Sequence, residues 1–162
     1  MDDRIVVGVD ESPSSRTALR WAVEEAKLRG AVVEAVLAWR VDRGTVIGAM
    51  SAAVAAGSDQ ERLREDSEAL LDGILAEAEG DVGAVATGGD ARDVLVRASR
   101  GAALLVVGSR GAGPIRQVLL GSVSSYCVHH AHCPVVVIRE PKTEVPSVPV
   151  EHKPVMTQGP LL

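Results

Sequence analysis

Phenylalanine is absent from this chain of 162 residues, and its aromatics are one tyrosine, Tyr126, and two tryptophans, Trp21 and Trp39. The core must then be filled by Val, Leu and Ala, and a hydrophobic content of 46% is enough for one compact domain. An aromatic beside a site stands out in such a chain, and Trp39 does. Two cysteines, Cys127 and Cys133, are too few for a disulfide scaffold. Basic charge is not in excess. The net charge is −5 and the aromatics are not interleaved with Lys or Arg, which argues against a nucleic-acid surface. No apolar run approaches the ~20 residues of a membrane span, and no N-terminal stretch is organised as a signal peptide, so a cytoplasmic protein with no membrane partner is expected.

Several motifs are missing too. There is no Gly-x4-Gly-Lys-Ser/Thr phosphate loop. Gly111-x-Gly113 lacks the third glycine of a dinucleotide fingerprint and follows the fourth expected strand, not the first. A phosphorylated receiver domain needs acidic residues after its first strand, whereas Asp2 and Asp3 precede it. No Ser or Cys is paired in sequence with an evident base, so catalysis has no visible agent and any nucleotide hydrolysis should be slow.

What is present is a glycine spacing, Gly108-x2-Gly111-x9-Gly121-Ser122, opening at the end of the apolar run Ala103 to Val107. That run reads as a buried strand and Ser122 to Ala131 as a helix. Glycines let backbone N–H groups approach a ligand with no Cβ in the way, and a helix N-terminus offers unpaired donors with a positive dipole end. Both ends of one strand-to-helix loop can therefore close on an anion, and a phosphate is expected. Ser122 is placed to cap the helix and offer a hydroxyl, the amides of Val123 and Ser124 can donate, and Arg110 and Arg116 can neutralise charge.

The rest of the chain alternates strand and helix. Arg4 to Val9 is a β-branched strand closed by Asp10; Ser12-Pro13 starts a helix with Leu19, Ala22, Val23 and Ala26 on one face and Gly30 as its stop. Ala31 to Trp39 reads as a strand covered on both faces, and residues 40–57 as a mobile Ala/Gly-rich connection. Asp59 to Glu79 is amphipathic, with Leu63, Leu70, Leu71, Ile74, Leu75 and Ala78 inward. Val82 to Thr87 is a weak strand, Asp90 caps a helix through Ser99, and Pro134 to Ile138 is the last strand. The expected fold is α/β, with five parallel strands, helices on both faces and a ligand at the carboxyl ends where strand order reverses. After Arg139 the character changes: five of the eight prolines lie between Pro141 and Pro160, so residues 140–162 are expected to be disordered. Cys127, His129, His130, His132 and Cys133 crowd seven positions, but Cys-x5-Cys is not a zinc pair, and the helix-to-strand transition would turn the ligands apart.

The glycine spacing, together with the N-terminal "VVGVD", resembles the universal stress protein family, specifically its ATP-binding branch, over residues 4–139. The resemblance implies a Rossmann-like sheet in the order 3-2-1-4-5. It places Gly108, Gly111, Gly121 and Ser122 around ribose and phosphates, with Val107 and Arg110 beside them. Asp10 would approach the nucleoside or hold a water on Mg2+, Gly8 and Val9 would line the adenine pocket, and the Trp39 backbone would flank adenine while its indole covers the base. ATP with Mg2+ is the implied ligand, in a signalling module of the stress response that works with a protein partner not identified by the sequence. Cyclic AMP on the same scaffold, or a nucleotide-free dimerisation module, are the alternatives. The resemblance also implies a homodimer through Pro134 to Ile138. It departs at Ala103, where many members carry an acidic residue. Gly121→Val, alone or with Gly108→Val, is expected to block phosphates while leaving the fold intact.

Overall fold

The computed structural model describes residues 3–40, 49–110 and 120–140, and for 49–59 the backbone alone. The elements are β1 (Arg4–Gly8), α1 (Pro13–Arg29), β2 (Val32–Trp39), α2 (Ala49–Ala76), β3 (Val82–Gly88), α3 (Ala91–Ala98), β4 (Leu104–Gly108), α4 (Ser122–His130) and β5 (Val135–Ile138). All neighbouring strands pair in parallel, in the order β3-β2-β1-β4-β5. That is the expected topology. The chain runs outward from β1 to β3, then returns to β4 on the other side, so the strand order reverses between β1 and β4.

β1 lies at the centre of the sheet, and Ile5, Val6 and Val7 are each 0% exposed. Successive side chains of a strand point to opposite faces. Ile5 and Val7 pack with Leu19, Ala22, Leu71 and Ile74 from α1 and α2, whereas Val6 packs with Val94, Leu95 and Cys127 from α3 and α4. Helices thus cover both faces, which explains why β1 and β2 read as nearly continuous apolar runs.

Local signals account for most boundaries. Ser12 caps α1 by accepting from the Ser15 N–H at 3.2 Å, and Gly30 ends it in the left-handed region at φ 66°. Asp90 caps α3 by accepting from the Arg92 N–H at 2.9 Å. α2 departs from expectation by starting at Ala49, so 49–57, read from sequence as a mobile connection, are helical. Alanine favours helix without supplying any periodicity, and the amphipathic pattern marks only the part of α2 that packs, at Ser67, Leu71 and Ile74. Residues 41–48 of that connection, and the proline-rich 141–162, lie outside the described residues.

At the amino end of the sheet one guanidinium closes several open groups. Arg4 Nη1 meets Glu34 Oε1 at 2.7 Å, and Nη2 donates to the carbonyls of Ala98 at 3.2 Å and Arg100 at 3.1 Å, where α3 ends.

Candidate functional site

At the carboxyl ends of β1 and β4 the polar groups belong to serines and to the backbone. Ser12, Ser14, Ser15, Ser109 and Ser124 are all buried. Beyond Gly8, the Val9 N–H donates to the Val36 carbonyl at 3.0 Å and its side chain enters the core. Asp10 follows, half-buried, and one of its carboxylate oxygens accepts from the Ser12 N–H at 2.9 Å and from the Ser12 hydroxyl. This side-chain turn directs the chain into α1. The Asp10 N–H donates to Ser15 Oγ at 3.1 Å, while the Ser15 hydroxyl donates to the Asp10 carbonyl at 2.6 Å.

Gly108 ends β4 directly beneath the first turn of α1. A Cβ there would stand 2.7 Å from Ser14 Oγ and 3.0 Å from both the Ser14 carbonyl carbon and the Ser15 nitrogen. A side chain at this position therefore collides with backbone, which corrects the expectation that Gly108→Val spares the fold. Gly8 is similarly crowded, its absent Cβ lying 2.8 Å from Leu95 Cδ1 of α3. Both glycines let helices close onto strand ends.

The next residue ties three elements together. Ser109 donates its N–H to the Ile138 carbonyl at 2.7 Å, and its own carbonyl accepts the Gly121 N–H at 2.7 Å and the Ser124 hydroxyl at 3.1 Å. The two ends of the glycine loop thus meet, as the spacing implied. Val107 is a buried core residue behind them. The Arg110 carbonyl accepts from the Ser14 hydroxyl. Gly111 and Arg116 lie outside the described residues.

Two further site expectations need correction. The N-cap of α4 is Gly121, with extended backbone and no side-chain cap bond; Ser122 is the first helical residue and exposed. A cap side chain acts from the residue before the helix, so Ser122 has no capping role. With Gly121 as cap, the first-turn amides of Ser122, Val123 and Ser124 have no partner within the helix. The Trp39 indole packs toward β3, the neighbour on the far side of β2: its ring stands 3.2 Å from where a Cβ of Gly88 would be. Its Nε1 is buried and unpartnered among the described residues. The Trp39 carbonyl accepts the Gly89 N–H at 2.8 Å.

The histidine and cysteine run is dispersed. Cys127 is buried in the core, where desolvation pushes its thiol up to about 11. Burial also raises Cys133, against an opposing pull from Arg4. His129 and His130 are exposed, with the Tyr126 ring 4.2 Å from that of His130. Among the described residues no group of His, Cys, Asp and Glu converges as a metal site. Sequence reasoning missed the serine cluster. Its one legible trace is Ser12-Pro13-Ser14-Ser15, of which only Ser12 could be interpreted, as a cap.

Residues 1–139 match the universal stress protein family (Usp). The chain belongs to this family. Universal stress protein Rv2623 of Mycobacterium tuberculosis (strain ATCC 25618 / H37Rv) is 34% identical over 161 residues, covering 88% of this chain and 49% of that protein. The chain spans about half the length of the curated relatives it matches. Universal stress protein UspA from Lactobacillus plantarum superposes with a TM-score of 0.65 at 22% identity, covering 84% of this chain and 97% of that one. A universal stress protein solved in complex with cAMP superposes with a TM-score of 0.53 at 26% identity, covering 83% of this chain and 94% of that one. Against the family pattern, Ala103 falls at the amino end of β4, its N–H donating to the Arg4 carbonyl at 2.8 Å. The departure therefore lies at the opposite end of the strand from the glycine loop.

Proposed function

We propose that this universal stress protein binds an adenine nucleotide at the carboxyl ends of β1 and β4, with ATP as its ligand, and acts as a nucleotide-dependent signalling module. The observation that carries this reading is the Ser109–Gly121 tie, which brings the start of the loop to a helix N-terminus whose amides have no side-chain cap. Amides and a dipole end suit phosphate oxygens. The family relative solved with cAMP supports an adenine nucleotide as the ligand class. Gly8, Val9 and Asp10 would face the nucleoside; Val107, Gly108, Arg110 and Gly111 would line the loop; Gly121, Ser122, Val123 and Ser124 would meet the phosphates. Mg2+ would accompany the phosphates through water, and Asp10 would join it only in the alternative in which its carboxylate serves the metal end and not the nucleoside. Function by binding accords with the missing base.

Calorimetry with ATP, AMP and cAMP tests the ligand, alongside mass spectrometry of small molecules released from undialysed protein. Asp10→Ala should weaken ATP on the order of tenfold to a hundredfold and inorganic triphosphate less, since a bond to a charged group contributes about 1.5–3 kcal/mol. Equal losses would move Asp10 to the phosphate or metal end. Preference for cAMP over ATP would favour the cyclic-nucleotide reading, which the cAMP-bound relative motivates.

The module is further proposed to be a homodimer through Pro134 to Ile138. β5 is an edge strand whose four residues are all only partly buried, and an edge is open to pairing with a second copy about a two-fold axis. Sedimentation of wild type, a truncation after Arg139 and Val137→Pro tests it. The Pro134 and Ile138 carbonyls bond to β4, so by alternation Val136 also faces β4 and the Val137 N–H faces the open edge; only the proline variant there should dissociate, because it removes a donor from that edge.

A further inference from the structure

α1 opens with Ser12-Pro13-Ser14-Ser15, and the helix start itself uses two of the three hydroxyls. Ser12 caps it, and Ser15 bonds back to the carbonyls of Asp10 at 2.6 Å and Ser12 at 3.0 Å. Ser14 is 1% exposed, and its hydroxyl donates to the carbonyl of Arg110, 96 residues away in sequence. That contact exists because Gly108 has no Cβ to hold α1 away from β4. At the next carbonyl back, Ser109 holds the Gly121 N–H at 2.7 Å and the Ser124 hydroxyl at 3.1 Å. Two consecutive carbonyls are thus fastened to different helices, Ser109 to α4 and Arg110 to α1. Ser14 Oγ also lies 3.3 Å from Ser12 Oγ, and Ser12 Oγ stands 3.4 Å from the same Arg110 carbonyl, so Ser14 links the start of α1 to the residue that follows Ser109.

We propose that Ser14 is a positioning residue for phosphate binding. It fixes the Arg110 carbonyl against α1 and so holds Ser109 where Ser109 seats the amide end of α4. Ser14 touches no ligand in this scheme. Its contribution is preorganisation: without it, the loop entry must be ordered when phosphates bind, and affinity falls by that cost. The inference rests on the nucleotide-binding reading above. It adds that Ser14 serves the phosphate half of the site, whereas Asp10 on the nucleoside half is held by Ser12 and Ser15.

The test compares ATP with adenosine on full-length wild type, Ser14→Ala and Ser124→Ala, with thermal melting as the check on folding. Ser14→Ala should weaken ATP about fivefold to tenfold, the scale of one hydrogen bond, and adenosine less than about twofold. Ser124→Ala cuts the other fastening and should show the same split. The double variant should lose less than the product of the two, because both act on one unit. An unchanged ATP affinity, or equal losses for ATP and adenosine, overturns the role of Ser14. Amide exchange of Gly121 in ligand-free protein reads the fastening separately, and Ser14→Ala should speed it several-fold. A wild type that binds neither ligand overturns the nucleotide reading, whereas unchanged Gly121 exchange overturns the fastening itself.

Discussion

The two ends of the sheet are both polar and are built on opposite plans. At the amino end a single charged side chain, Arg4, serves Glu34 and two carbonyls around the end of α3, so its donors are consumed by fixed partners. At the carboxyl end the work is shared among serines, main-chain groups and the Asp10 carboxylate that Ser12 bonds, and α4 begins there with a glycine cap that brings no side chain to its amides. Charge placed at a helix C-terminus and already paired contributes stability and leaves nothing to offer a ligand. Uncharged hydroxyls shape the backbone while leaving a positive dipole end for an anion. On the proposed reading, ligand chemistry falls at the carboxyl end of the strands, opposite the Arg4 contacts.

The severest test of that contrast is Gly108→Val, because Gly108 sits at the carboxyl end yet serves packing. Its Cβ would lie 3.0 Å from main-chain atoms of α1 that cannot rotate away. The expected cost is about 3 kcal/mol or more, read as a lower urea midpoint. A variant of wild-type stability that merely fails to bind ATP would return Gly108 to the ligand. Next in size is Arg4→Ala, expected to cost about 1.5–3 kcal/mol through lost charge-assisted bonds at a site only 26% exposed, with ATP affinity unchanged. Altered affinity would show that the two ends are coupled.

The legibility of these regions in the sequence follows from the same contrast. Burial on both faces produces long apolar runs, and caps are chemically distinctive, so β1, β2, α1 and α3 were readable within about two residues of their bounds. Strand order was not derivable from periodicity and came with the family resemblance. The glycine spacing marked two segments that meet at Ser109 and Gly121, but it could not say that Gly108 faces a helix while Gly121 caps one. Close approach to backbone and close approach to ligand demand the same residue. Ser14 was illegible for another reason: its partner is a carbonyl, which carries no sequence identity. The start of α2 was missed because alanine signals helix without signalling a face.

A smaller effect, and one that depends on pH, concerns Asp90. Hydrogen bonds from the Arg92 side chain and then from the Arg92 N–H hold its carboxyl below the usual carboxylate range. A carboxyl depressed in the folded state contributes stability that is complete above its unfolded value near 4 and is lost as pH falls below that toward the folded value. Asp90→Asn keeps a capping oxygen and removes the titration. Its destabilisation, about 1 kcal/mol or less at pH 7 because Arg92 and Arg40 are largely solvated, should shrink when denaturation is repeated near pH 3. A deficit that grew on acidification would mean the ionised form is not the one that stabilises α3.

The smallest expected change is Trp39→Phe, which separates a wall of the core from a wall of the site. The indole lies against Gly88 of β3 and packs on the α1/α2 core, with Nε1 buried and without a partner among the described residues. Removing an unpaired buried donor relieves a penalty of about 1–3 kcal/mol, while the smaller ring gives up some buried area, so the two effects oppose each other. Stability should therefore move by less than about 1 kcal/mol, and ATP affinity by less than about twofold, because the ring covers β3 and not the reversal point between β1 and β4. Denaturation and calorimetry on the same preparation read both. A fivefold or greater loss of ATP affinity at unchanged stability would mean that the indole swings onto the base when nucleotide binds, and that β2 supplies part of the ligand's cover after all.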